Sequence, residues 1–257
     1  MTKLSVNINK IATIRNARGG NMPDVTKAAL DCELFGAEGI TVHPRPDERH
    51  IRYSDVRTIR PLIRTEFNIE GNPIPSFIDL VTEVIPDQVT LVPDAHDAIT
   101  SNAGWDTIRN RGFLTEVCAE FKSKGIRTSI FVDPDPRMAE AAATCGCDRV
   151  ELYTESYASM YPMDRESAIL PFIKTAEAAR NAGLGVNAGH DLNLENLEYF
   201  IRNIPWTAEV SIGHAIICDA LYMGLEKTIK DYLSKVKIFQ FPLQDIVIAN
   251  QTLINKK

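Results

Sequence analysis

Short apolar runs, rich in β-branched side chains, recur along the chain and alternate with longer stretches whose apolar positions fall three and four residues apart. The first pattern predicts strands and the second helices. Eight strands are read at Leu4–Ile8, Ile40–Val42, Phe67–Glu70, Gln88–Val92, Arg127–Val132, Arg149–Tyr153, Leu184–Asn187 and Ala208–Ile212. A helix is expected from Pro23-Asp24 to about Phe35, with Ala28, Ala29, Cys32 and Phe35 on one face. Ser54 is placed as the N-cap of the next helix, which Pro61 kinks or ends. Further helices are expected over Pro75–Val84, Phe113–Lys124, Pro136–Thr144, Ser167–Ala182, Glu195–Asn203 and, as one or two pieces, Asp219–Val236. Gly125 and Gly183 stop two of them in the usual C-cap manner. The stretch 15–20 reads as a glycine-bearing loop.

Strict alternation of strand and helix gives a parallel sheet. Eight such units in 257 residues fit a closed (β/α)8 TIM barrel of the α/β class. The rival, an open doubly wound sheet, normally carries a GxGxxG turn, and none is present. No composition break marks a linker, so residues 1–236 are expected to form a single domain. Residues 237–257 fall outside the alternation and are expected to pack on the barrel or at an oligomer contact.

Composition adds little to the fold but narrows the partners. A net charge of -6 argues against general nucleic-acid binding, yet leaves room for a local positive pocket that takes a small anion. No run is long and apolar enough for a membrane span, and the N-terminus has no signal-peptide core. Five cysteines, an odd number at irregular spacing, fit a reducing cytoplasm better than a disulfide framework. Cys145 and Cys147 read as small packing residues at a helix–strand turn.

The chemistry concentrates where strands end. Ile40-Thr41-Val42 empties into a stiff loop carrying His43, Arg45, Arg49 and His50 between two prolines. The other histidines, His96, His190 and His214, also follow strands, and barrel active sites are built from those segments. Glu70 closes strand three and Glu151 lies within strand six. A carboxyl inside an apolar strand is either a structural ion pair or a proton-transfer group. Asn7, Asn9 and Asn187 add neutral hydrogen-bonding groups. Gly189 and Gly213-His214, after strands seven and eight, suit phosphate held by backbone N–H groups, and Arg18, Arg45 and Arg49 suit further phosphate oxygens. A Schiff-base role falls only to Lys10. The His-x-His pair of many metallohydrolase barrels is replaced by Asn7-Ile8-Asn9, and His43, His190 and His214 lack tight metal-ligand spacing. No flavin or nicotinamide motif occurs. Acid–base chemistry on a phosphorylated substrate, without metal or cofactor, is what remains.

Several blocks, in order from about residue 4 to residue 235, resemble the pyridoxine 5'-phosphate synthase family. They are Val6-Asn7-Ile8-Asn9-Lys10 through Gly19, Gly39–His43 with Arg49-His50-Ile51, Asn68-Ile69-Glu70, Leu91-Val92-Pro93, Val186–His190 and Ile212–Ile217. The resemblance implies a cofactor-free barrel with extra helices, oligomeric and commonly octameric. It implies condensation of 3-amino-2-oxopropyl phosphate with 1-deoxy-D-xylulose 5-phosphate to pyridoxine 5'-phosphate, phosphate and water. By position, it makes His43 and Glu70 proton acceptors, His190 a proton donor and Glu151 a stabiliser of charged intermediates. It assigns Asn7, Arg18, Gly213 and His214 to the amino-ketone phosphate, and Arg45, His50 and Thr100 to the deoxyxylulose phosphate. Three positions depart from the family pattern: Asn9 and Lys10 stand for an Asp-His pair, and Asp191 stands for a glycine. All three remain candidate substrate contacts. The alternatives are a metal-dependent phosphosugar isomerase or epimerase and a catalytically inactive barrel used as a binding module.

Overall fold

The computed structural model describes residues 1–93 and 103–238. Thr100, His96 and the extension from residue 239 onward lie outside the described residues. The strands are β1 (Lys3–Asn7), β2 (Gly39–Val42), β3 (Glu66–Gly71), β4 (Gln88–Leu91), β5 (Arg127–Val132), β6 (Arg149–Tyr153), β7 (Gly185–His190) and β8 (Thr207–Ile212). They pair in sequence order, all parallel, and β8 closes on β1 to complete a barrel. The helices are α1 (Asn9–Arg18), α2 (Val25–Leu34), α3 (Tyr53–Ile59), α4 (Pro75–Val84), α5 (Arg111–Ser123), α6 (Pro136–Thr144), α7 (Glu155–Met160), α8 (Arg165–Asn181), α9 (Leu197–Asn203), α10 (His214–Met223) and α11 (Leu225–Val236).

Side chains alternate across each strand, and here the alternation is chemical. Leu4 and Val6, Ile40 and Val42, Phe67 and Ile69, and Val150 and Leu152 point outward into the apolar layer beneath the helices. Their neighbours point into the lumen, and nearly all are polar. Hydrogen bonds run straight across it: Gln88 Nε2 donates to Glu209 Oε1 at 3.4 Å, and Asn187 Nδ2 to Gln88 Oε1 at 3.4 Å. At the N-terminal end Arg127 pairs with Glu66, and Arg149 lies 3.8 Å from Glu209. The barrels of this architecture usually fill the lumen with branched apolar side chains. In this protein the apolar core is the sleeve between strands and helices.

Several boundaries differ from expectation. The expected loop at 15–20 is mostly helix, since α1 runs through Arg18 and stops at Gly19, whose φ is 74°. Its period was hidden because one of its two buried residues is an arginine, Arg15. Ser54 is inside α3, not its cap; Asp55 reaches back to the Arg52 N–H at 2.8 Å, and the helix ends before Pro61. The short helix α7 was not expected, because only Tyr157 of its residues is buried. α10 begins at His214, immediately after β8, rather than near Asp219.

Phe67 is fully buried in the apolar sleeve. Phe67→Ala is expected to cost about 3–5 kcal/mol of unfolding free energy, the usual loss for a core phenylalanine, as read by urea denaturation.

Candidate active site

The C-terminal ends of the strands open into a cavity of about 360 Å³. Its wall begins at β1. Asn7 Nδ2 donates to Glu70 Oε2 at 3.3 Å, while Asn7 Oδ1 accepts the Asn9 N–H at 3.0 Å. Asn9 Oδ1 in turn accepts the His43 N–H at 2.9 Å. The two asparagines thus tie the start of α1 to the ends of β1 and β2. Glu70 receives a second donor from the far side of the barrel, Ser211 Oγ at 3.2 Å. The His43 ring sits 3.9 Å away, Nδ1 to Glu70 Oε2.

The opposite wall comes from β6 and β7. The Glu151 carboxyl is buried and contacts Thr90 Oγ1 at 3.3 Å. It lies flat against Gly189, where a Cβ would come within 2.3 Å of Glu151 Oε1. His190 ends β7 with a φ of 104°, a left-handed conformation that costs a non-glycine residue roughly 1–3 kcal/mol. Its Nδ1 pairs with Asp191 Oδ2 at 2.5 Å, and its ring meets Tyr153 edge-on at 4.9 Å between centroids. Asp191 lines the cavity but is paired with the imidazole rather than left as a bare charge.

The candidates for holding an anion line the rest of the cavity. Gly213 caps α10, with Asn7 packed so closely that a Cβ would come 2.9 Å from its carbonyl oxygen. His214 is the first residue of that helix. Lys10, Arg45 and His50 also line this side of the cavity. The His50 loop is clamped from behind: Arg15 makes paired bonds to Asp55 at 2.6 and 2.9 Å and a third to the His50 carbonyl at 3.0 Å. Asn16 Nδ2 binds the same carbonyl at 2.8 Å. His50 Nδ1 accepts the Ile51 N–H at 2.9 Å, which leaves the neutral ring's proton on Nε2, a donor.

Burial and positive neighbours set the charges. Burial first, then Arg45, His50 and Arg49, hold the His43 imidazole well below its ordinary value. Burial, Arg45 and Lys10 bring His50 down to about 4. Both rings are neutral near pH 7, and a neutral imidazole can accept a proton. Burial first, then the Glu70 and Glu209 carboxyls, push Glu151 well above the ordinary carboxylate range.

Of the sequence-stretch candidates, Asn7, Asn9, Lys10, His43, Arg45 and His50 converge on this cavity from the first two strands. Glu70, Glu151, His190, Asp191, Gly213 and His214 converge on it from the others. Arg18 does not: it is exposed at the end of α1 and is no part of the lining. Thr100 lies outside the described residues. Ser211, Phe131 and Val92 also line the cavity and were missed. Ser211 was legible in the alternation Val210-Ser211-Ile212-Gly213; nothing in the sequence marked Arg15 as the clamp.

The sequence model of the family described as "Pyridoxal phosphate biosynthesis protein PdxJ" matches residues 4–238. The chain belongs to this family. It is 68% identical over 232 residues to a pyridoxine 5'-phosphate synthase of Bacteroides fragilis, covering 90% of this chain and 98% of the relative. The corresponding protein of Parabacteroides distasonis is 69% identical over the same shares, and that of Cytophaga hutchinsonii 65% identical over 92% of this chain and all of the relative. The chain is thus a member of an enzyme family. Among solved structures, 3-keto-L-gulonate-6-phosphate decarboxylase of Vibrio cholerae superposes with a TM-score of 0.64 at 10% identity, over 94% of this chain and 99% of that one. Phosphoribosyl anthranilate isomerase of Thermotoga maritima superposes with 0.59 at 17%, over 92% and 99%. These two likenesses speak for the barrel alone. Among the described residues, no helix is long and apolar enough to cross a membrane.

The low value of His50 has a consequence for stability. Between about pH 6.5 and about 4 the unfolded chain binds a proton at this residue and the folded chain does not. Folding stability from this residue is therefore lost as pH falls through that window. Urea titrations of the parent and His50→Gln are expected to show the parent losing ground to the variant between pH 6.5 and pH 4, and a constant gap above pH 7.

Proposed function

We propose that this protein condenses 3-amino-2-oxopropyl phosphate with 1-deoxy-D-xylulose 5-phosphate to give pyridoxine 5'-phosphate, phosphate and water, by acid–base catalysis. The observation that carries the reading is the pairing of a buried neutral imidazole, His43, with a carboxyl, Glu70, on one wall of a cavity rimmed by anion-holding groups. Forming the ring requires an amine to condense with a ketone, carbon-bound protons to be removed, and oxygens to leave. Each step moves a proton, and the wall supplies groups in different protonation states at contact distance.

Glu70 is held in place by donors from Asn7 and Ser211, so that a base stands over a carbon next to a carbonyl or imine. His43 takes a proton beside it. His190, fixed through Nδ1 by Asp191, is the proton donor through Nε2 once the ring carries a proton on both nitrogens. One phosphate sits at the start of α10, where Gly213 lets the backbone approach and the helix N-terminus favours negative charge. The other sits against Arg45 and His50, whose Nε2–H is a donor without a titrating charge.

The direct test is incubation of the purified protein with both phosphates, following pyridoxine 5'-phosphate by mass and absorbance and inorganic phosphate by release. Absence of product with both substrates bound would overturn the reading. Within it, Glu70→Gln and His43→Asn are each expected to lower kcat by roughly 10²–10⁴-fold, the ordinary worth of one acid–base group. His50→Asn is expected to raise KM for the deoxyxylulose phosphate more than it lowers kcat, since its role is to hold substrate. Steady-state kinetics of the three variants measures the split.

A further inference from the structure

Two carboxyls face this cavity, and their surroundings are unequal. Glu70 accepts from two donors, Asn7 and Ser211, and has an imidazole alongside. Glu151 is buried, and among the described residues its only hydrogen-bond partner is one hydroxyl, that of Thr90. No cation pairs with it there. The titratable groups acting on it are Glu70 from β3 and Glu209 from β8, with His43 and His190 lining the same cavity. A buried carboxylate without a cation or several donors is costly, and two adjacent carboxyls do not both ionise.

Thr90 shows how the proton is kept. Its oxygen lies between Glu151 Oε2 at 3.3 Å and Asn68 Oδ1 at 3.2 Å. A hydroxyl carries one proton, so it can donate to one of them only. Asn68 turns its amide nitrogen to Thr41 Oγ1 at 3.4 Å, and Thr41 meets Ser5 Oγ at 2.7 Å. All four of these residues are buried, so a belt of side chains runs from β1 through β2 and β3 to β4. The Thr90 hydroxyl is within donating distance of both acceptors. When its proton goes to the Asn68 carbonyl, the contact with Glu151 is a hydrogen bond only with the proton on the carboxyl.

We propose that Glu151 works as a neutral carboxylic acid, held in that form by the positioning residues Thr90 and Asn68, and that it gives its proton to an oxygen leaving as water. This deepens the proposed function and its proton-transfer step rests on it. In the dehydration a base, Glu70 or His43, removes a proton from carbon. The C–H electron pair forms the new double bond, and the C–O bond breaks with its pair going to oxygen. That oxygen takes the Glu151 proton and departs as water. The proton gained by the base returns to Glu151 through solvent, so the cycle closes without a co-reactant. A neutral acid opposite an ionised one is how enzymes divide donor and acceptor roles between like groups.

Infrared difference spectra of the substrate-free, full-length protein, parent minus Glu151→Gln, test the protonation. A protonated carboxyl carbonyl band at neutral pH is expected, and carboxylate bands alone would overturn the proposal. Thr90→Val tests the belt through a sign. If Thr90 accepts from the neutral acid, its loss lowers the pH at which the band disappears; if it donates to a carboxylate, its loss raises that pH. A lower midpoint, restored in Thr90→Ser, supports the belt, and an unmoved or higher midpoint removes it. Thr90→Ala serves the same comparison should the valine variant not fold. Turnover of Glu151→Gln is expected to fall about 10²–10⁴-fold with KM little changed; near-parental kcat would overturn the proton delivery. If the band is present but no variant or parent makes product, the function reading fails while the protonation assignment stands.

Discussion

Everything in the active site depends on the chemical alternation of the strands. A closed barrel has no free edges, so its backbone is satisfied internally and its two surfaces are left to the side chains. By placing apolar residues outward, the chain builds its stability in the sleeve between strands and helices. By placing polar residues inward, it gains a lumen in which carboxyls, amides and hydroxyls face one another over short distances. Such groups are expensive to bury singly and tolerable only as a connected set. The set here is tiered, with the Arg127–Glu66 pair at the base, the Ser5–Thr41–Asn68–Thr90 belt above it and the Ser211–Glu70–Asn7 contacts at the mouth.

The same lumen explains how like groups acquire different properties. Glu209 and Glu151 are buried beside other acids, and burial pushes both well above the ordinary carboxylate range. His43 and His50 lie beside arginines, and burial with positive charge keeps both neutral. Burial and the sign of the nearest charges therefore decide which residues hold protons and which are ready to accept them. The arginine that suits the rim for anions also keeps the neighbouring imidazoles basic in form.

Much of this was legible in the sequence. β5, β6 and α6 were placed to the residue, because their ends are marked by proline, glycine or a sharp change in polarity. The histidines and glutamates at strand ends pointed to one face of the barrel, and the structure brings His43, His50, His190, His214, Glu70 and Glu151 to one cavity. Less was legible where a fully buried polar residue interrupts the apolar period. Arg15 made α1 look like a loop, and the clamp it forms with Asp55 joins residues forty positions apart. The contact between Asp191 and His190 depends on a left-handed turn that no residue type there announces. The polar lumen itself was written in each strand as every second residue. Its meaning as a network, however, requires the register that sets β3 opposite β8 and β4 opposite β7.

Gly189 gives the site a further property. The Glu151 carboxyl occupies the volume that any larger residue at 189 would need. The two positions are thus coupled: a side chain at 189 requires the Glu151 carboxyl to leave its present place. A redesign that seeks a new side chain on this part of the β7 wall therefore has to move or shorten residue 151 as well. The bare backbone on β7 and the buried acid on β6 therefore share one volume, and repurposing this wall for another substrate changes both at once.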